Sequence, residues 1–309
     1  MRTVFRTAAI ATFALFAATG TNFAQQQQDF SKIEVKTTDL GHNVYMLQGA
    51  GGNVTVAVGT DGVIMVDSQF APMHEKLKAA IAKLTNLPVK YLIDTHFHGD
   101  HTGGNAAFAA EGAVIVAQNN VRGHLTNPSP GANGQTPPVA PPTALPTMQY
   151  AETTTISVGG QTAQLTHVAN AHTDGDTFVY FPEANVLAIG DTGGANRYPG
   201  IDVRGGGSVI GTIAAAEVAL AKANANTKIV PGHGALATKA EIQAYHDTAV
   251  TIADRIVKYR DNERFTEDQA VAAQPLIDIE AQLKQNAMAS ERIVRLVYET
   301  VKTSPKAAK

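Results

Sequence analysis

The stretch Thr95-His96-Phe97-His98-Gly99-Asp100-His101 places three imidazoles and one carboxylate within a few consecutive positions. It follows the apolar run at residues 91–93, which is typical of a short buried strand. Imidazole nitrogens and carboxylate oxygens grouped at the end of a strand are donors that zinc and related cations prefer. The stretch therefore predicts a metal site at the edge of a sheet.

Three later motifs carry further donors of the same kinds. They are His172 in AHTDGD, Asp191 in IGDTGG and His233 in PGHG, and each follows, or nearly follows, its own apolar run. Together with residues 95–101 they supply five imidazoles and two carboxylates. That number of donors is enough for two metal ions.

Composition sets limits on the class of protein. The chain has 309 residues, of which 44% are hydrophobic and 17% charged, as expected for one large α/β domain with a substantial core. A net charge of −3 gives no overall positive field, so the sequence predicts no nucleic-acid partner. Cysteine is absent from the sequence, which excludes disulfides and thiolate metal ligands.

The first residues resemble an export signal. Arg2 and Arg6 precede an apolar run at 8–18, which is too short to span a bilayer, and small residues follow it. We therefore predict a signal peptide at 1–24, a mature domain at 25–309 and a periplasmic or secreted location; the alternative is an uncleaved anchor or merely an apolar tail. No other segment is apolar enough to span, so no membrane span is expected in the mature protein.

Hydrophobic patterning predicts two halves, each made of strands and helices. The expected strands are 44–47, 54–58, 63–66, 89–93, 113–117, 154–158, 161–167, 177–181, 186–189 and 228–230. The expected helices are 73–84, 208–222, one from Thr238 to about 258, one opening at Thr266, and 290–302. This order favours facing sheets with helices outside and a helical extension from about residue 240. The Pro/Gly-rich stretch 127–146 is either a flap over the site or a passive surface loop.

The motifs resemble those of a known family. THFHGDHTGGN, at residues 95–105, is similar to the H-x-H-x-D-H signature of the metallo-β-lactamase superfamily, and the three later motifs are similar to its remaining ligand motifs. Asp67, in VIMVDS, matches the early structural aspartate of that family. The resemblance runs from about residue 39 to 236. It implies an α/β fold, a four-layer αβ/βα sandwich with C-terminal helices, and a site at one edge between two sheets.

The resemblance also implies two zinc ions per chain. The residues that match the family's ligands are His96, His98 and His172 for one zinc, Asp100, His101 and His233 for the other, and Asp191 as a bridge. The best-known resistance enzymes mostly carry a cysteine where this chain has Asp191, so the set is closer to the glyoxalase II-like and general hydrolase branches. Iron or manganese could also occupy such a site.

These features imply a secreted zinc-dependent hydrolase in which a hydroxide bridging the two metals attacks a carbonyl of a small-molecule substrate. Asp100 would orient the nucleophile and carry a proton. Opening of a β-lactam (or lactone) ring is the leading reaction, which would link the protein to antibiotic resistance; a glyoxalase II-like thioesterase is the alternative. A nuclease would need a cationic track that the composition does not provide, and a vestigial binding protein would not need seven intact ligands. The sequence gives no indication of an oligomeric state.

Other polar residues have two interpretations each. His167 and His124 could lie beside the site or be ordinary satisfied histidines, whereas His42, His74 and His246 are expected to be structural or solvated. The Asp191 motif is followed by residues that could bind a substrate carboxylate or form ion pairs at the rim of the site. They are Arg197, Tyr198 and Arg204. Asp94 and Thr95, together with Asp67, are expected to contact the metal ligands and hold them in position.

Overall fold

Two β-sheets form the centre of the protein. The computed structural model describes residues 29–131 and 134–301, so the predicted signal peptide at 1–24 lies outside the described residues. One sheet has seven strands in sequential order, and the other has five strands, with the last strand of the chain at one edge. Within the described residues, none of the helices is both long and apolar enough to cross a membrane.

The first half of the chain builds the seven-stranded sheet. Its strands are β1 Lys36–Gly41, β2 Val44–Gln48, β3 Val54–Val58, β4 Val63–Val66, β5 Val89–Ile93, β6 Val114–Gln118 and β7 Met148–Tyr150. Its helices are α1 His74–Ala82, α2 Gly99–Thr102, α3 Asn105–Ala110 and α4 Asn119–Thr126. Strands β1 to β4 pair antiparallel, and β4 to β7 pair parallel. The parallel strands therefore end at one common edge.

The second half builds the five-stranded sheet and the C-terminal helices. Its strands are β8 Thr153–Val158, β9 Gln161–His167, β10 Thr177–Phe181, β11 Val186–Gly190 and β12 Lys228–Pro231. Its helices are α5 Val209–Lys222, α6 Lys239–Val257, α7 Glu267–Ala272, α8 Ile277–Leu283 and α9 Ala287–Thr300. Strands β8 to β11 pair antiparallel, whereas β11 and β12 are parallel.

The buried residues fall into four hydrophobic cores, three between the layers of the sandwich and one among the C-terminal helices. One core joins the inner faces of the two sheets, with Val66 and Ile93 on one side and Val179 and Phe181 on the other. The outer face of the first sheet packs on α1 and α3, and that of the second on α5 and α6. A fourth core holds α6 to α9 together. The α/β sandwich of two sheets with C-terminal helices, expected from the sequence, is confirmed.

Most predicted elements form at the predicted places. The capping boxes at Thr238 and Thr266 are both present, and Ser208 caps α5. Strands β1 and β7 and the helices α2, α3, α4 and α8 were not predicted. Helix α9 begins earlier than expected because the Asn286 side chain accepts a hydrogen bond from Ala289 N and caps it. The segment 127–146 contains one short 3-10 turn, Pro142–Ala144, and no strand or α-helix among its described residues.

Candidate metal centre

The ends of four strands bring the predicted ligands to one edge of the sandwich. The 95–101 stretch follows β5, and His172 lies in the loop before β10. Strands β11 and β12 run parallel with Gly190 paired to Pro231, so Asp191 and His233 emerge at the same end. Helix α2 is a single turn that begins directly after His98. The backbone thus turns inside the histidine-rich stretch and directs its side chains to two places.

Three imidazoles converge on one point. His98 Nδ1 lies 3.1 Å from His96 Nε2 and 3.0 Å from His172 Nε2. We call these three residues the three-histidine cluster; their ligand atoms form one of the groups able to hold a metal ion. His96 and His172 are buried, whereas the His98 side chain is 30% exposed. The cluster is therefore open to solvent on the side of His98.

A second group lies beside the first. His233 Nε2 is 3.1 Å and His101 Nε2 is 3.7 Å from Asp100 Oδ2, and these three residues form the aspartate–histidine cluster. Asp191 lies between the two groups: its carboxylate oxygens are 3.4 Å from His101 Nε2, 3.4 Å from His233 Nε2 and 3.9 Å from His172 Nε2. All seven predicted ligands are thus brought together in space.

In each buried histidine, Nδ1 faces away from the clusters and Nε2 faces them; we call these the outer and the inner nitrogen. Each outer nitrogen contacts a group that determines whether it carries a hydrogen. His101 Nδ1 lies 2.7 Å from Asp67 Oδ2, and His172 Nδ1 lies 3.0 Å from Gly200 O. Thr95 Oγ1 donates to Asp67 Oδ2 at 2.8 Å, so it can only accept from His96 Nδ1 at 3.1 Å. Each outer nitrogen therefore carries a hydrogen, and the lone pairs of His96 Nε2 and His172 Nε2 face the three-histidine cluster. This is the tautomer that a metal ligand requires.

Burial favours the neutral state of His96 and His172 but not that of His101: burial lowers the pKa of His101, but the carboxylates of Asp67 and Asp191 outweigh burial and raise it well above its usual value. Burial lowers the pKa of His96 well below its usual value and that of His172 to about 4, so both are neutral at pH 7. Burial raises the pKa of Asp191, but the nearby imidazoles of His101 and His233, each 3.4 Å away, outweigh burial and hold it well below the usual value. Hydrogen bonds with Asp100 and Asp191 raise the pKa of His233 to about 9, so metal binding there must displace a proton.

Two observations fit the clusters to a cation. His101 Nε2 and Asp191 Oδ1 are buried and have no hydrogen-bond partner of good geometry, although such atoms are rarely left unsatisfied. The backbone also leaves them room: a Cβ on Gly232 would lie 1.9 Å from Asp191 Oδ1, and one on Gly52 would lie 2.2 Å from His101 Cε1. Unpaired donors in a space kept open by glycine are what a bound metal would satisfy.

The lesser histidines do not face the clusters. His124 stacks on Phe97 with ring centroids 4.1 Å apart and bonds to Asp174 Oδ1 at 2.8 Å, and His167 Nε2 donates to Asp174 O at 2.9 Å. Both therefore support the loop that carries His172. His74 is buried against Phe108 and contacts Glu75 and Glu111. These three residues form a separate acidic group, which Lys78 partly neutralises by its ion pair with Glu111.

Two supporting carboxylates were not identified from the sequence. Asp176 accepts from Thr173 N at 2.8 Å and from Thr173 Oγ1 at 2.6 Å, and burial raises its pKa to about 8. Asp202 lies 3.0 Å from His98 Nε2. Asp176 belongs to the AHTDGD motif, whereas Asp202 is distant in sequence from the ligand that it contacts. Arg204 donates to the carbonyls of Pro130 and Gly131, so here it anchors the start of the 127–146 loop.

Comparison with known proteins identifies the family. The sequence profile of the metallo-beta-lactamase superfamily matches residues 47–233. The chain belongs to this superfamily. Its members are generally hydrolytic metalloenzymes that typically bind zinc, and the histidine clusters described above could hold a metal. The predicted family is confirmed.

Individual relatives are more distant. The chain is 30% identical over 141 residues to the 2,4-dinitroanisole O-demethylase subunit alpha of Nocardioides sp. (strain JS1661); the match covers 45% of this chain and 40% of that subunit. Among solved structures, a metallo-beta-lactamase from Pontibacter korlensis has a TM-score of 0.57 at 18% identity, covering 70% of this chain and 99% of its own. The DIM-1 metallo-beta-lactamase has a TM-score of 0.56 at 16% identity, covering 71% and 98%. These two similarities establish the fold alone.

Proposed function

We propose that this protein is a hydrolase that binds two divalent cations, zinc by preference, and cleaves a carbonyl compound of low molecular weight. The observation that carries the proposal is the convergence of seven donor side chains, with His98 Nδ1 within 3.1 Å of two other imidazole nitrogens and Asp191 between the clusters. The three-histidine cluster would hold one cation and the aspartate–histidine cluster the other. Asp191 would contact both.

When bound, zinc supplies a water nucleophile at neutral pH, by lowering the pKa of a coordinated water from about 15.7 to about 7, and a Lewis acid for a carbonyl oxygen. The residues of the chain supply orientation and proton transfer. Asp100 is the more exposed of the two carboxylates, at 27% against 12% for Asp191. Burial raises the pKa of Asp100, but hydrogen bonding with His233 holds it below its usual value, so it is ionised and can accept a proton. We assign Asp100 to take the proton of the nucleophile and pass it to the leaving group.

A β-lactam or a lactone is the substrate class that we propose first. A strained cyclic amide or ester needs one nucleophile, one group to stabilise the anion and one proton carrier, which this site would provide. Export through the segment 1–24, which we also propose, would bring the protein to compounds that act outside the cytoplasm. Sequencing the amino terminus of protein recovered from the periplasm would test this: an intact Met1 would contradict cleavage.

A second reaction is favoured by one specific observation. The relative from Nocardioides is named for the demethylation of 2,4-dinitroanisole, a methyl aryl ether, and shares 30% identity over 141 residues with this chain. Water activated in the same clusters could displace the methoxy group from the electron-poor ring of such an ether, releasing it as methanol. Thioester hydrolysis is the alternative that the ligand set suggests. The same metal ligands and the same proton carrier would serve that reaction.

Metal content and turnover test the proposal together. Protein stripped with a chelator and reloaded with zinc should contain about two zinc ions per chain by elemental analysis. It should then be assayed on a chromogenic β-lactam, a lactone, a thioester, 2,4-dinitroanisole and a phosphodiester. We expect turnover of the β-lactam or lactone, and none of the phosphodiester.

Each outcome separates one part of the proposal from the rest. Less than one zinc per chain would refute the metal centre, and full loading without turnover of any carbonyl compound would refute the carbonyl hydrolase. Turnover of 2,4-dinitroanisole alone would select the second reaction. Asp247→Asn is a matched control, because it removes an exposed carboxylate of α6 that contacts His246 rather than a predicted ligand.

A further inference from the structure

The carboxylate of Asp202 contacts a predicted metal ligand from behind. Its Oδ2 lies 3.0 Å from His98 Nε2, the nitrogen that faces away from the three-histidine cluster. We propose that Asp202 is a positioning residue, which orients His98 and thereby sets the affinity of the three-histidine cluster for its metal. This inference rests on the proposed function, since it assumes that the cluster binds a cation.

The contact fixes the tautomer of His98. An ionised carboxylate can only accept hydrogen bonds, so the hydrogen of the neutral imidazole lies on Nε2. The lone pair of His98 Nδ1 then points to the place where His96 Nε2 and His172 Nε2 converge, at 3.1 and 3.0 Å. A carboxylate behind a metal-binding imidazole also increases its basicity, and loss of such a partner typically weakens metal affinity by about 10 to 100-fold.

Asp202 is itself held in place. Its Oδ1 accepts a hydrogen bond from Gly205 N at 3.1 Å, so both carboxylate oxygens have a donor. An asparagine here would have one acceptor oxygen for two donors. A Cβ on Gly205 would lie 2.7 Å from Asp202 Oδ2 and 2.7 Å from Phe97 Cζ, so glycine gives the carboxylate and the Phe97 ring their space.

The same segment supports a second ligand. Gly200 O lies 3.0 Å from His172 Nδ1, and Asp202 N donates to His172 O at 2.9 Å. Residues 200–202 therefore hold two of the three imidazoles of the cluster. The aspartate–histidine cluster has a separate support, because His101 is held by Asp67 at 2.7 Å. A change at Asp202 should therefore affect one cluster and spare the other.

The C-terminal helices pack against the segment that contains residues 198–202. Ile201 is buried in the same core as Ile293 and Val297 of α9. The hydroxyl of Tyr198 lies 2.9 Å from Ser290 Oγ, also in α9. The segment that orients His98 and His172 is thus fixed on its far side by a helix beyond the sandwich, so Asp202 has little freedom to move away from His98.

Stepwise zinc titration of the stripped full-length chain, in competition with a chromogenic chelator, tests the assignment. We expect Asp202→Asn to raise one of the two dissociation constants by about 10 to 100-fold and to leave the other within twofold. Asp247→Asn removes the same charge from the exposed face of α6, where the carboxylate lies 2.9 Å from His246 Nδ1, and should change neither constant. In cobalt-loaded protein, the hyperfine-shifted His98 Nε2–H signal should exchange faster with water in Asp202→Asn than in the wild type.

Three results would overturn the assignment. Unchanged constants in Asp202→Asn, with the wild type taking up two ions, would exclude a positioning role and leave the proposed function intact. An equal rise of both constants, or the same rise in Asp247→Asn, would indicate a general effect on folding or charge. A wild type that takes up no metal would refute the proposed function, and this inference with it.

Discussion

Gly232 offers a selective way to disturb the metal centre, by the change Gly232→Ala. Its backbone is held on both sides, because Gly232 N donates to Gly190 O at 2.6 Å and Gly232 O accepts from Asn53 N at 2.6 Å. Its φ lies outside the left-handed region, so alanine can adopt this backbone. The added methyl group would lie 1.9 Å from Asp191 Oδ1, 2.9 Å from Gly190 C and 3.0 Å from His101 Cε1, where ordinary contact begins at 3.4 Å. The largest overlap is thus with Asp191.

The geometry sets the size of the effect. The carboxylate of Asp191 must retreat by about 1.5 Å, because the backbone of residue 232 cannot. Metal–ligand distances tolerate about 0.2 Å, and a misplacement of about 1 Å in a functional site costs about 100-fold. We therefore expect zinc binding that involves Asp191 to weaken by at least about 100-fold, or about 2.7 kcal/mol. Overpacking by one methyl group typically costs about 1–3 kcal/mol of stability, so the variant should fold.

Zinc affinity is measured by chelator competition, and folding by circular dichroism of the metal-free protein. Gly99→Ala is the matched control, because its Cβ would meet nothing within 4 Å although it lies between His98 and Asp100. Its zinc affinity should equal that of the wild type. A folded Gly232→Ala protein that binds zinc within threefold of the wild type would refute the placement of Asp191 between the clusters.

Three further predictions concern the ligand set and the stability of the fold. Asp191→Ala should lose one of two zinc ions by elemental analysis, and most activity; undiminished rates would reject its bridging role. Thr238→Ala removes a capping box and should lower the free energy of unfolding by about 1 kcal/mol in urea, whereas Thr251→Ala, within the exposed face of the same helix, should cost less. Hydrogen bonding with Arg255 lowers the pKa of Asp278 to about 2, so the stability it provides is present above pH 4 and lost as pH falls towards 2. Asp278→Asn should therefore be less stable than the wild type at pH 7, by no more than about 1 kcal/mol for so exposed a pair, and equal to it near pH 2; a difference that persists at pH 2 would contradict this.

The sequence predicted the elements whose signals are local. Each of the strands β3, β4 and β5 is a short apolar run that ends in a turn, and the caps of α5, α6 and α7 are side chains next to their helices. The candidate ligands follow strand ends, so a site at one edge between two facing sheets could be inferred from the sequence. The predicted seven-residue set is brought together in space for that reason.

The missed features depend on contacts between distant residues. Asp202 approaches His98 across 104 positions of sequence, and nothing in the glycine-rich run around it indicates which side chain it will meet. Strand β7 is only three residues long and follows the proline-rich loop, so it has no periodicity of its own. Helix α8 has no side-chain hydrogen bond at its N-cap, which removes the signal that identified α6 and α7.

The division of the ligands between the two halves of the chain connects metal binding to folding. Each cluster takes two residues from the stretch 96–101 and one from the second half, either His172 or His233, and Asp191 also comes from the second half. Neither half can form a cluster alone, so a bound cation adds to the contacts that the shared core makes between the two sheets. A ligand that binds only the folded protein stabilises it by about 4.1 kcal/mol at a concentration 1,000 times its dissociation constant.

The core alone already joins the sheets, since buried side chains such as Val66 and Phe181 meet across it. The stripped protein should consequently keep its fold, and the metal should add stability mainly at the edge where the two halves supply ligands together.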